Sequence, residues 1–98
     1  MHSAWVYIMT NTNNTTLYIG VTTNIYVRVK EHKSSQNPDS FTARYKLFKL
    51  VYYEGFPLLI DAIAREKFLK GKSRKYKMDL INKMNPKWRD LENQTADL

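Results

Sequence analysis

The first 27 residues of this chain contain no Lys, Arg, Asp or Glu, and Arg28 is the first formal charge. A chain of net charge +7 that begins this way has an opening segment suited to burial, since those four residue types are seldom fully buried. Residues 4–9 (AWVYIM) and 16–21 (TLYIGV) are short runs rich in β-branched and aromatic side chains. The polar stretch Thr10-Asn11-Thr12-Asn13-Asn14-Thr15 lies between them, the pattern of a β-hairpin. Side chains alternate faces along a strand, so Val6 and Ile8 share one face while Trp5, Tyr7 and Met9 share the other. On the second strand Leu17, Ile19 and Val21 oppose Tyr18 and Gly20. A two- or four-residue loop makes paired positions sum to an odd number. Tyr7 and Tyr18 then lie on one face, nearly opposite each other, whereas a three-residue or bulged loop reverses that.

Downstream, Thr23-Asn24 can cap a helix running to about Lys33, with Ile25 and Val29 as its buried stripe. His32 falls seven residues after Ile25, and Arg28 sits beside the stripe one turn before it. Residues 34–40 read as a loop and Lys46 to Glu54 as a third strand. Phe56-Pro57 opens a second helix that runs to about Lys70 and stops at Gly71. Ser73 can cap a third helix to about Met84, which Asn85-Pro86 ends. Residues 92–98 read as a frayed tail. The sum is one α/β domain over 1–98 with its core at 4–91, a small three-stranded antiparallel sheet flanked by about three helices.

A hydrophobic fraction of 43% with 13% aromatics is that of a packed domain rather than a disordered basic tail. The absence of cysteine excludes disulfides and thiolate metal sites and fits a reducing compartment. No signal peptide and no membrane-spanning run is visible, so the expected location is the cytoplasm. The 16 basic residues outnumber the 9 acidic ones, and they are densest between Arg65 and Lys77. Such asymmetry favours a polyanionic partner, or else forms a merely solvated surface; charge alone does not separate the two.

On the second helix Leu59, Ala62, Ile63 and Leu69 cluster on one side, and Glu66 falls within their arc. Burying a carboxylate is costly unless a cation, metal or donor set compensates. Glu66 can pair with Lys70 at i,i+4, the commoner arrangement, or serve as a metal ligand or acid/base at the floor of a cleft. A strand tyrosine, a helical Arg–His pair or an asparagine before proline is each, alone, ordinary structure.

Together these residues resemble the GIY-YIG nuclease family. Trp5-Val6-Tyr7 stands in the place of the first tripeptide and Tyr18-Ile19-Gly20 matches the second. The family's helical arginine falls on Arg28 and its histidine on His32, its metal-binding glutamate on Glu66 within Ala62–Gly71, and its asparagine on Asn85. The segment Asn85-Pro86-Lys87-Trp88-Arg89-Asp90-Leu91 resembles the close of small, stand-alone bacterial members. Two positions depart from the pattern: Trp5 replaces glycine, and Lys72 stands where an aromatic residue is frequent. The resemblance implies an endonuclease that hydrolyses DNA phosphodiester bonds with a single Mg²⁺ or Mn²⁺ held by Glu66, in the setting of DNA repair or recombination. It implies catalytic roles for Tyr7, Tyr18, Arg28, His32 and Asn85, the last binding phosphate or bracing Tyr7. Gly20 would leave room for the substrate backbone, with DNA contacts from Lys33, Arg44, Arg65, Lys67 and Lys70. The polar segment Ser34 to Tyr45 is the place to look for further contacts. Branched or damaged DNA is the expected partner, with a second protein as one source of targeting. The alternatives are a nucleic-acid-binding module with little or no chemistry, and a protein-interaction domain in which Glu66 is structural.

Overall fold

Strand β1, Ala4–Thr10, is buried at all seven positions, which requires cover on both faces of the sheet. It is the central strand of three in the computed structural model, which describes residues 2–34 and 38–98. Strands β2 (Leu17–Thr22) and β3 (Lys49–Phe56) pair with it antiparallel, in the order β2-β1-β3. Alternation along β1 divides the interior in two. Ala4, Val6 and Ile8 join Ile19, Val51, Ala62, Leu69, Ile81 and Trp88 on one side. Trp5, Tyr7 and Met9 join Ile25, Val29, Leu47, Leu50 and Leu91 on the other. Helices α3 (Leu59–Lys70) and α4 (Arg74–Met84) cover the first face, and α1 (Ile25–Ser34) covers the second. Each fully buried side chain such as Ile8 contributes about 1.5–3 kcal/mol.

The hairpin connection is Asn11 to Thr16, six residues long. Asn11 organises it by accepting from the backbone N–H groups of Thr15 (2.8 Å) and Thr16 (3.1 Å). Asn14 adopts φ 57°, a region asparagine tolerates. This even-length loop puts Tyr7 and Tyr18 on one face, but not opposite each other: Tyr7 pairs with Gly20 and Tyr18 with Met9, a diagonal offset. Trp5 lies opposite Gly55, where a Cβ would come within 2.7 Å of its ring. The missing tripeptide glycine is thus matched by a glycine on the neighbouring strand, and the indole covers the sheet.

Helix α1 follows expectation. Asn24 Oδ1 accepts from the N–H of Val27 at 3.2 Å, and Ile25, Val29 and His32 form its buried stripe. Ser73 likewise caps α4 by accepting from the N–H of Tyr76. Other boundaries move. β3 starts at Lys49, not Lys46, because Lys46 takes φ 57°, which no extended strand accommodates. It runs on to Phe56, opposite Ala4, so α3 begins at Leu59 beyond Pro57. Ser34, expected in the loop, ends α1, and a short helix α2, Phe41–Arg44, lies between the expected loop and β3, capped by Ser40 Oγ accepting from the N–H of Ala43; the loop residues 35–37 lie outside the described residues. Finally, the expected frayed tail is a 3-10 helix, Glu92–Asp97, packed on α1. Thr95 is buried there and donates to the carbonyl of Glu92 at 2.6 Å, while Lys30 pairs with the Glu92 carboxylate. Among the described residues, no helix is long and apolar enough to cross a membrane.

Candidate active site

Gly20 exists where it does because of Tyr7. A Cβ at position 20 would lie 2.5 Å from both Cζ and the phenolic oxygen of Tyr7, so the ring rests directly on the glycine. The space a side chain would take at position 20 is therefore filled by Tyr7. Held in this way and only 1% exposed, Tyr7 places its hydroxyl 2.9 Å from Nε2 of His32. The other imidazole nitrogen, Nδ1, is 2.9 Å from Oγ1 of Thr42, and both His32 and Thr42 are buried. A neutral imidazole has one donor and one acceptor, so the chain Tyr7–His32–Thr42 runs in one direction or the other. When Nδ1–H donates to Thr42, Nε2 accepts the Tyr7 proton. The Tyr18 ring completes the group, its centroid 6.3 Å from Tyr7 and 5.7 Å from His32.

Burial, and then the neighbouring Tyr18 phenol, push the Tyr7 phenol well above its ordinary range, while the Arg28 guanidinium beside it pulls the other way. Burial first, and Arg28 second, bring His32 down from 6.5 to about 4. At neutral pH the pair is therefore an uncharged imidazole against an uncharged phenol, with a cation at hand. Arg28 also pairs with Glu31 at 3.2 Å across an open surface, a contact that contributes little to stability.

The depressed His32 value has a consequence for folding. Between pH 6.5 and about 4 the unfolded chain binds a proton that the native imidazole refuses, so stability from this group is complete above 6.5 and is lost as pH falls toward 4. The expected loss is about 3 kcal/mol. Urea unfolding across that range should show it, and His32→Gln should flatten that part of the profile. Identical pH profiles for the two proteins would assign the acid sensitivity to other groups.

β2 is an edge strand, and this lets residues from the two faces of the sheet approach each other around its unpaired side. A cleft of about 340 Å³ lies there, lined by Tyr18 and Phe41 from one face and by Lys70 and Lys77 from the helices of the other, with Leu17 and Ile19 between. Glu66 sits one turn before Lys70 on α3, its side chain 16% exposed and Oε2 3.4 Å from the Lys70 ammonium. The i,i+4 pair is therefore present, and the lysine that makes it lines the cleft. Among the described residues there is no group of three or more His, Cys, Asp or Glu able to hold a metal. A single mostly covered carboxylate fits a hard cation that keeps most of its water, and does not fit zinc.

Other nominated residues are placed differently. Asn85 does not brace Tyr7. Its Nδ2 donates to the carbonyls of Val51 (3.2 Å) and Arg89 (2.7 Å), and its Oδ1 accepts from the N–H of Arg89 (3.0 Å). Those bonds close the loop after α4 onto β3. Lys33 is bound to Asp90 and Glu92, and Arg65 to Glu54 at 2.9 Å, so both charges expected to meet phosphate are already matched by carboxylates. Lys67 is exposed on α3, and Arg44 is exposed at the end of α2. Two contributors were missed, Thr42 behind His32 and Phe41 against Tyr18. The signal for them was Ser40, a helix-capping residue soon after Pro38, which announces the short helix that carries both.

The chain matches the GIY-YIG catalytic domain over residues 3–85. It is similar to a UPF0213 protein of Syntrophus aciditrophicus (strain SB), 37% identical over 86 residues that span 88% of this chain and 97% of that one. A second relative, from Pediococcus acidilactici and described as a UPF0213 protein in the ldhD 5' region, is 39% identical over 67% of this chain and 68% of its own length. The solution NMR structure of a UPF0213 protein from Bacillus halodurans aligns with a TM-score of 0.52 at 30% identity, covering 94% of this chain and 93% of that one.

Proposed function

This chain belongs to the GIY-YIG family, whose domain is of nuclease type, and from that premise we propose that it is an endonuclease that hydrolyses DNA phosphodiester bonds with one divalent cation, in the cytoplasm and on intermediates of repair or recombination. The observation that supports this reading most is the buried Tyr7–His32–Thr42 hydrogen-bond chain, with Tyr18 and Arg28 beside it. Three polar groups in series next to a guanidinium are what proton transfer beside a phosphate requires.

In this reading Tyr7 receives the proton of the attacking water. A phenol whose pKa is raised by burial does not ionise at neutral pH, so its own proton must leave as the new one arrives. His32 Nε2, neutral and 2.9 Å away, takes that proton in the tautomer whose Nδ1–H donates to Thr42, and Thr42 orients the ring. Arg28 offers a planar fork of donors to the phosphoryl oxygens and stabilises negative charge on the Tyr7 oxygen during transfer. Tyr18 walls the water side of the site. Glu66 would hold Mg²⁺ or Mn²⁺, which when bound polarises a non-bridging phosphate oxygen and stabilises the leaving oxygen.

One observation favours the second reading, a binding module without chemistry: the Glu66 carboxylate is already engaged by Lys70. The two are separated by incubating single-stranded, duplex, flapped and branched DNA with Mg²⁺ or Mn²⁺ and with a chelator. Cleavage that appears with the cation and vanishes with the chelator is the expected result. Binding without cleavage under every metal condition would leave only the binding module.

A further inference from the structure

Two large aromatic rings stand in the solvent beside the cleft, at the two ends of α2. Phe41 is 47% exposed and Tyr45 is 51% exposed. They are one helical turn apart in sequence, with ring centroids 4.6 Å apart and planes inclined by 37°. Single exposed aromatics need no explanation, but these two continue a series that starts inside the site. Phe41 lies 6.0 Å from the Tyr18 ring at an angle of 30°, and Tyr18 lies 5.7 Å from His32. The helix beneath the rings is anchored to the site. Thr42, between them in sequence, is buried against His32, and Ser40 caps the helix. Cations surround them: Arg44 and Lys46 flank Tyr45 in the chain and are exposed, while Lys70 and Lys77 line the adjoining cleft with Phe41.

Resting on the nuclease reading for the nature of the polymer, we propose that Phe41 and Tyr45 form a stacking platform for an unpaired nucleobase of the substrate strand. The site then takes nucleic acid with a single-stranded segment in preference to continuous duplex. The physical basis is that an aromatic face binds a base only through the base's own face, and in duplex those faces are occupied by neighbouring bases. The flanking lysines and arginine follow the backbone phosphates without regard to sequence. A platform joined to Tyr18 places the unpaired nucleotide next to the phosphodiester presented to Tyr7 and His32.

The test is a binding measurement in chelator, so that it does not depend on cleavage. Anisotropy is recorded for a labelled single-stranded oligonucleotide and for a blunt hairpin containing the same sequence. Wild-type protein should bind the single strand more tightly. Tyr45→Ala should weaken that affinity by roughly tenfold while changing the hairpin affinity by less than about twofold, and Tyr45→Trp should retain it. With the unaltered protein, an oligonucleotide carrying 2-aminopurine should show quenching on binding, which keeps the question open to decision if a variant misfolds. Unchanged single-strand affinity in Tyr45→Ala, as expected if the rings instead meet a protein, overturns the proposal. Equal losses for both ligands, or an absence of quenching, also overturn it. Metal-dependent cleavage that prefers continuous duplex would overturn the platform and keep the nuclease. Tyr45-dependent binding of single strands without any cleavage would keep the platform and remove the nuclease.

Discussion

Glu66→Ala is expected to reduce metal-dependent cleavage by on the order of 10³-fold while leaving the fold in place. The expectation rests on position and on number. Glu66 is a carboxylate on the helix that packs against both β1 and β2, one turn from a lysine of the Tyr18 cleft, and it is largely covered at 16% side-chain exposure. With no three-residue ligand cluster among the described residues, losing one carboxylate removes the protein's main hold on a hard cation. The structural cost is small by comparison. The partner Lys70 is 54% exposed, so its ammonium stays hydrated when the carboxylate goes, and an i,i+4 pair contributes only a few tenths of a kcal/mol. Single-turnover rates across an Mg²⁺ titration, with thermal melts of the same samples, measure both quantities. An undiminished rate would reduce Glu66 to the ion pair that it visibly makes.

Gly20→Ala should act on both stability and rate. The added Cβ would sit 2.5 Å from Tyr7 Cζ and from the phenolic oxygen, a separation that atoms do not tolerate. Relief requires the Tyr7 ring to shift, yet that ring is buried and hydrogen-bonded to His32. Overpacking of this kind costs about 1–3 kcal/mol. A displacement near 1 Å at a reacting group can lower the rate about 10²-fold. If the rate effect passes through Tyr7, the double variant Gly20→Ala/Tyr7→Phe will be about as slow as Tyr7→Phe alone. Independent, multiplying losses would show that Gly20 acts in another way, for instance through the substrate backbone.

Much of this architecture can be read from local pattern. The alternation in residues 4–9 and 16–21, the asparagine cap before Ile25 and the serine cap before Arg74 each act over a few residues, and each appears in the structure. Two of the misread boundaries have a different cause. β3 runs to Phe56 because Ala4 lies opposite it, and the last residues order because the Glu92 carboxylate pairs with Lys30 and Lys33 of α1. Those partners lie tens of residues away along the chain.

The candidate site divides along the same line. Residue type and spacing along the chain determined which groups could do chemistry, a tyrosine on each strand of a hairpin and an Arg–His pair one turn apart, because strand and helix periodicity are local properties; the loop that puts both tyrosines on one face was settled by the structure. Tertiary structure alone decided that Tyr7 rests on Gly20, that Thr42 stands behind His32, and that Lys33 and Arg65 are already matched by carboxylates. These depend on which side chains packing brings within a few ångströms, and charge neutralisation and desolvation act only at that range.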